Sequence, residues 1–303
     1  MLENESPPGG APLVSIVIIS KDEQNLDGTL TAVSAQAQAY KEPCEIVVVD
    51  ASDGRLEHIR VKHEGHVRWI QFARPPGVHV TIPHQRNEGV RLARGGIIVF
   101  TDAGCQPEGG WLARLVEPLL GDEKITFGLA LAASSGTKLY SRRAQQALEA
   151  KYVEEFSTIN LAFYTEVSDA VGSFDEAFAY GSDVDFSWRV IGMGYRCRSV
   201  PDAVVRHDWG KGRRQLRRSY VYGQARVRLH RKHNSSLLRM LRNDPMVIVY
   251  PVFLIGLPIT FLFPFYPALL LIPAWRNRAD GAVGVVVDHL VFGVGALAEL
   301  INR

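Results

Sequence analysis

Residues Gly95 to Pro107, Gly-Gly-Ile-Ile-Val-Phe-Thr-Asp-Ala-Gly-Cys-Gln-Pro, restrict the fold more than any other stretch of the chain. Ile97 to Thr101 is an unbroken apolar run of strand length, started by two glycines and interrupted by Gly104 and Pro107. A strand that is apolar on both faces is covered on both faces, as in a parallel sheet flanked by helices. Such open sheets bind ligands beyond the carboxyl ends of their strands. Asp102 stands at that end, and Gly104 lets the following loop approach a ligand closely. A carboxylate placed there suits a metal-bound diphosphate; the plain alternative is an aspartate that caps a turn.

The pattern recurs upstream. Val14 to Ile19 reads as a first strand ending at Ser20, and Glu45 to Val49 as a second ending at Asp50. Between them Asn25 is expected to cap a helix with Leu26, Leu30, Val33 and Ala37 on one face. Strand, helix and strand at this spacing form a βαβ unit. A short helix (Leu56 to Lys62) and a third strand (Val67 to Phe72) follow. A helix then runs from Pro83 to about Ala93, with Arg86 and Asn87 in its opening turns. Beyond Asp102 the pattern predicts an amphipathic helix at Trp111 to Leu119 and an apolar run at Ile125 to Ala132. Ser134-Ser135-Gly136 reads as loop, Arg142 to Phe156 as helix, and Asp169 to Phe178 as turns. Ser182-Asp183-Val184-Asp185 opens another helix, before short strands at Tyr195 to Val200 and Ala203 to His207. No Gly-x4-Gly-Lys sequence occurs, and no Gly-x-Gly-x-x-Gly follows a strand, so phosphotransfer and dinucleotide redox chemistry lack their usual signatures.

Charge is unevenly spread. The formal net charge is +2, yet residues 209–243 hold eleven Lys/Arg and no Asp or Glu, which leaves the first 208 residues at −8. A basic band behind an acidic domain argues for a local anionic partner and against general nucleic-acid binding. Thirty residues without a formal charge follow, Met246 to Trp275, enough to enter a bilayer. Prolines at 251, 258, 264, 267 and 273 oppose one straight helix. Arg276 and Arg278 flank the far end, a conflict with the positive-inside rule that a broken hairpin removes. Ala282 to Ile301 is a second apolar segment, interrupted by Asp288 and His289. Juxtamembrane cations bind anionic lipid head groups on the cytoplasmic leaflet. The expected division is a catalytic domain over 1–243 and membrane-associated helices over 244–303. Three scattered cysteines, Cys44, Cys105 and Cys197, form no zinc spacing or disulfide framework and point to a reducing compartment. Met1 to Gly10 lacks the basic-then-apolar pattern of a secretory signal.

Taken together these segments resemble the family 2 glycosyltransferases, which have the GT-A fold. The matching segments are Val14 to Ser20, Glu45 to Asp50, Arg86-Asn87-Glu88-Gly89, Val99 to Gly104, and Val171 to Glu176 running into Ser182 to Asp185. Their order and spacing, over about residues 12 to 210, carry the likeness. The resemblance implies an α/β nucleotide-binding sandwich: a mixed, mainly parallel sheet flanked by helices, here with a C-terminal hydrophobic membrane segment. It implies transfer of a sugar from a nucleoside-diphosphate sugar to a hydroxyl, with inversion at the anomeric carbon. By position, Asp50 would bind the nucleotide base with residues near Ser20, and Arg86 would lie near base and phosphates. Asp102 would open the metal motif, His207 would match a late histidine ligand, and Asp183 would be the general base. Two departures stand out: Gly104 replaces the second metal-motif carboxylate, and Ser182 replaces the Glu that usually precedes the base.

The implied cofactor is a divalent cation, Mg²⁺ or Mn²⁺, which neutralises charge on the departing diphosphate. Mg²⁺ needs only one or two carboxylates beside substrate phosphates and water, and imidazole also suits Mn²⁺. Each residue keeps a structural alternative: Asp50 as a turn residue, Arg86 as a solvated helix arginine, His207 as the end of an edge strand, and Asp183 as an ordinary helix N-terminus. Asp185 reads as structural. The implied partners are a nucleotide-sugar donor, a lipid-linked or saccharide acceptor, and anionic lipids. The implied location is the inner membrane with the catalytic domain in the cytoplasm. Two rival readings stay open: a nucleotidyltransferase of similar sheet architecture, and a membrane-bound scaffold that has lost its chemistry.

Overall fold

The structure, a computed structural model, describes residues 13–133, 149–208, 212–278 and 281–302. The chain forms two compact units, Met1–Asp208 and Trp209–Arg303.

The first unit is built on one nine-stranded sheet. Its parallel part is formed by β1 (Val14–Ser20), β2 (Cys44–Asp50), β3 (Arg68–Gln71) and β4 (Ile97–Asp102), in the order β3-β2-β1-β4. β1, β2 and β4 are the β-branched runs of the sequence, and Val14, Ile16, Val17, Ile18, Val47, Val48, Val49 and Ile97 to Val99 are buried. Helices α1 (Leu26–Tyr40), α2 (Glu57–Lys62) and α3 (Ile82–Leu92) make the crossovers. Leu26, Leu30 and Val33 bury the expected face of α1. Asn25 does not cap it: the residue is already helical and its side chain accepts no cap hydrogen bond. Because β2 and β4 lie on opposite sides of β1, the chain reverses its winding there. That switch opens a crevice at the carboxyl ends of β1 and β4.

The rest of the sheet is mixed. β5 (Gln106–Pro107), β6 (Ile125–Ala132), β7 (Tyr152–Val153), β8 (Asn160–Tyr164) and β9 (Cys197–His207) extend it as β4-β8-β6-β9-β5, with β7 on β9. Between them lie α4 (Trp111–Val116), α5 (Thr165–Val171) and α6 (Ser182–Gly192). The two strands expected between Tyr195 and His207 are one strand. Its register against β6 jumps from Gly128↔Val200 to Leu129↔Val204, and this bulge merges what Pro201 seemed to separate. No helix covers 149–156, the described part of the segment expected to be helical over 142–156; β7 pairs antiparallel with β9 there instead. Ser134-Ser135-Gly136 and Lys211 lie outside the described residues.

The bulge has a buried pin. The Asn160 side-chain amide donates to the carbonyls of Leu129 (3.0 Å) and Ala203 (2.8 Å) and accepts from Trp111 Nε1 (2.8 Å). Asn160→Ala would leave three buried groups without partners, each costing about 1–3 kcal/mol. A loss of roughly 3 kcal/mol or more of unfolding free energy in urea is expected. A change below about 1 kcal/mol would show that water takes over the three partners.

The second unit contains α7 (Arg213–Lys232), α8 (Leu237–Asn243), α9 (Met246–Ile255), two 3-10 turns (Leu257–Phe261 and Tyr266–Leu270), α10 (Leu271–Arg276) and α11 (Ala282–Ile301). The thirty uncharged residues thus form short pieces broken at proline. Among the described residues, only α11 is long and apolar enough by composition to cross a membrane.

Candidate active site

The strand ends expected to bear the chemistry fall on one edge of the sheet. In register, Ser20 pairs with Asp50 and Ile19 with Asp102. Asp50 and Asp102 therefore flank β1, about 10 Å apart across two strand spacings.

Asp50 is buried and accepts two hydrogen bonds from Ser52, from its hydroxyl (2.5 Å) and its backbone N–H (3.2 Å). Burial raises the Asp50 carboxyl above the usual range, and these bonds pull it partly back. Beside it, Asp22 accepts from Arg55 Nε at 2.6 Å. Gln85, which the sequence reading passed over, ties this edge together. Its amide donates to the carbonyls of Ser20 and Val49, both at 2.8 Å, and accepts from the Thr81 hydroxyl. The available signal was its place immediately before Arg86, in a helix turn that faces two strand ends. Ser52 had a plainer signal, since Asp-x-Ser-x-Gly after a strand is turn chemistry.

The second cluster surrounds Asp102. The residue is half-buried, but its carboxyl group lies deep. Burial raises its pKa; the charges of Arg86 and His207 pull it down and that of Asp183 pushes it up. Arg86, His207 and Asp183 are therefore each within electrostatic reach of Asp102. Arg86 is buried, donates to Ser182 Oγ at 3.0 Å, and lies over the Phe174 ring at 5.5 Å. It is not a solvated helix arginine. Neither Arg86 Nε nor Ser20 Oγ has a hydrogen-bond partner among the described residues, and both atoms are buried. Buried polar groups left unpaired in this way need a partner such as water or a ligand.

His207 reaches this cluster because β5 pairs with the end of β9 and folds the loop after β4 against it. Its Nδ1 is 3.6 Å from Cys105 Sγ. Gly104, at φ +92°, donates its N–H to Thr29 Oγ1 at 2.9 Å, and a Cβ there would lie 3.7 Å from the imidazole. Among the described residues, no group of three or more His, Cys, Asp or Glu is arranged to hold a metal alone. One carboxylate and one imidazole fit a cation that completes its shell with substrate oxygens and water.

Asp183 starts α6, where its Oδ1 accepts from Val184 N–H at 3.0 Å. Gly181, at φ +81°, makes the turn before it. The placement of α6 is enforced from behind. Asp185 is fully buried and accepts from Arg189 Nε at 2.9 Å, and the same guanidinium donates to the carbonyls of Val171, Gly172 and Ser173. Phe186 packs on Phe174 (4.7 Å between centroids) and on Phe163 of β8 (5.5 Å). Asn87 of α3 exchanges hydrogen bonds with the backbone of Phe174. Asp185 is thus structural, and the turn-rich segment carries Asp183 to Asp102.

Residues 15–176 match the family model described as Glycosyl transferase family 2. The chain belongs to that glycosyltransferase family. Two curated relatives, the pre-mycofactocin glycosyltransferases of Mycobacterium tuberculosis strains CDC 1551 and H37Rv, are each 28% identical over 168 residues. The alignment covers 49% of this chain and 34% of theirs, so the chain spans about a third of the length of the curated relatives it matches. A mannosyltransferase of Pyrobaculum calidifontis, solved in complex with GDP-Man and Mn²⁺, has a similar fold: TM-score 0.70, 18% identity, covering 98% of this chain and 89% of that one. The glycosyltransferase sheet described above is thus of the GT-A type, mixed and flanked by helices. Asp183 and His207 lie beyond the family match.

The thiols of this family member are shielded. Burial pushes Cys105 up to about 12 and Cys197 well above its ordinary value, and it also raises Cys44. Thiolates are the reactive form. Alkylation of Cys105 and Cys197 at pH 8, followed by mass spectrometry, should be slow in the native protein and fast in denaturant. Fast native modification of Cys105 would mean that the loop beside His207 opens freely.

Proposed function

We propose that this protein is an inverting glycosyltransferase. It moves a sugar from a nucleoside-diphosphate sugar to a hydroxyl acceptor at the cytoplasmic face of a membrane, in the synthesis of cell-surface polysaccharide or glycolipid. The observation that supports this best is the convergence of Asp102, Arg86, His207 and Asp183 at the switch point of the sheet. Family membership and the sugar-nucleotide complex of the similar fold agree with it.

In this reading the nucleoside lies along the ends of β1 and β2, where Asp50, held by Ser52, takes a base or ribose donor group and Ser20 Oγ supplies a further contact. Arg86 Nε faces the diphosphate. Asp102 and His207 would hold a divalent cation there, whose charge offsets that developing on the diphosphate. Asp183 accepts the proton of the acceptor hydroxyl as its oxygen bonds to the anomeric carbon. The bond from that carbon to the β-phosphate oxygen breaks on the opposite face, and the nucleoside diphosphate leaves. A single displacement inverts the centre.

The test is a screen of nucleotide sugars, GDP-mannose included, for release of nucleoside diphosphate with and without Mn²⁺. Metal-dependent release from one donor supports the reading. Donor binding that ignores metal, with no release from any donor, would favour a scaffold without chemistry.

A further inference from the structure

Met246 to Ile301 is apolar enough to suggest a transmembrane hairpin. The packing of the second unit argues otherwise. We infer that this unit is a monotopic anchor, seated in a single leaflet rich in anionic lipid, and that α11 does not cross the bilayer. This rests on the membrane reading above and specifies its form.

Three observations lead to it. First, α11 runs beside α7 over most of its length. Asp288 accepts from the Gln215 amide and from the Ser219 hydroxyl at 3.3 Å. Arg228 and Arg231 bind Glu299, at 2.8 and 3.7 Å. Between these ties the backbones meet at glycines. A Cβ on Gly223 would strike the Phe292 carbonyl, and one on Gly295 the Tyr220 carbonyl. The two helices are therefore one body. Helix α7 carries eight Lys/Arg and no Asp or Glu in twenty residues. An α11 that crossed the hydrocarbon would take these cations with it, at a cost that membrane proteins avoid.

Second, the uncharged stretch does not cross either. Helix α9 has ten residues, about 15 Å of rise, half the hydrocarbon thickness. The pieces after it have five, five and six residues. Cations stand at both ends, Arg239 and Arg242 before it and Arg276 and Arg278 after it. Both ends thus belong on the cytoplasmic side, which a re-entrant wedge satisfies.

Third, the wedge has a bare apolar tip. Phe261 and Leu262 are 92% and 89% exposed, and Phe263, Phe265, Leu271 and Ile272 are exposed beside them. A contiguous surface of this kind marks an interaction site. Trp275, with the Arg278 guanidinium stacked 4.8 Å above its ring, has the chemistry of a head-group anchor. Apolar tip, aromatic collar and basic helix together match an interfacial seat on anionic lipid.

The experiment uses the full chain. In oriented membrane vesicles, Asn277→Cys and Asn302→Cys are labelled with a membrane-impermeant maleimide, with Lys41→Cys as the reference for the first unit and the parent chain as background. All three should react from the same face. Asn277→Cys or Asn302→Cys reacting only from the opposite face would overturn the single-leaflet seat while leaving membrane attachment intact. In parallel, Phe261→Glu with Leu262→Glu should lower co-sedimentation with phosphatidylcholine/phosphatidylglycerol vesicles by about tenfold or more, from lost apolar burial. Unchanged sedimentation of that double variant would likewise overturn it. If the parent chain sediments with no vesicle, the membrane reading itself fails, a different result from either.

Discussion

Asp183→Asn should reduce sugar transfer by about 10²- to 10⁴-fold, the range lost with a positioned base, while donor binding stays near its parent value. The geometry isolates the effect. Asparagine keeps an oxygen in the place of Oδ1, so the contact with the Val184 N–H survives. The helix is held by the Asp185–Arg189 pair and the Phe174–Phe186 contact, neither of which includes residue 183. Arg86 keeps its bond to Ser182. The negative charge of Asp183 raises the Asp102 carboxyl, so its removal makes Asp102 easier to ionise. Metal-supported donor binding is then not weakened. The readout is kcat beside a calorimetric Kd for the donor. A variant with near-parent kcat removes Asp183 from the base role; one that loses donor affinity in proportion to kcat makes it a donor-binding residue instead.

The parallel core was legible because its signal is local. Each of β1, β2 and β4 is a mainly apolar, β-branched run with a polar residue where the ladder ends, so Ser20, Asp50 and Asp102 could be placed on one edge before any pairing was known. What that periodicity could not give is who lies beside whom. β8 enters antiparallel between β4 and β6, a stretch in which the sequence suggested no element, and its first residue, Asn160, pins the β9 bulge through its amide. The same bulge hid the continuity of β9, since Pro201 marks a break in sequence but a register shift in the sheet. Gln85 escaped because an amide that bridges two strand-end carbonyls has no sequence signature apart from its neighbours. The resemblance supplied the pairing of Asp183 with Asp102, and the Arg189 carbonyl clamp gives it a physical cause. In the second unit, composition raised the expectation of a lipid partner, but only packing tied α11 to a cationic helix.

Asp102→Asn should separate function from stability. In the proposed reading, calorimetric donor binding measured with Mn²⁺ should fall to the value measured with chelator. Loss of a hydrogen-bond partner of a metal ligand already costs about 10–100-fold in affinity, and loss of the ligand itself costs on the order of a hundredfold or more. His207→Ala should give a smaller fall. Stability should move the other way. Burial raises the folded-state pKa of Asp102 above its unfolded value. The stabilising contribution of such a group is complete below the unfolded pKa and is lost as pH rises through the folded pKa. At neutral pH the ionised carboxylate therefore costs folding free energy, and the neutral amide removes that cost. Without metal, Asp102→Asn should melt above the parent at pH 7.5, and the difference should vanish toward pH 4. With Mn²⁺ and donor present, the parent should recover the advantage, because a ligand that binds only the folded state stabilises it. Metal affinity should also fade on acidification earlier than for an ordinary carboxylate, since the ligand must first lose its proton. A variant that melts lower than the parent in chelator at pH 7.5 would mean that the attraction of the Arg86 and His207 charges for Asp102 outweighs its burial. Metal-strengthened donor binding that persists in the variant would move the cation away from β4.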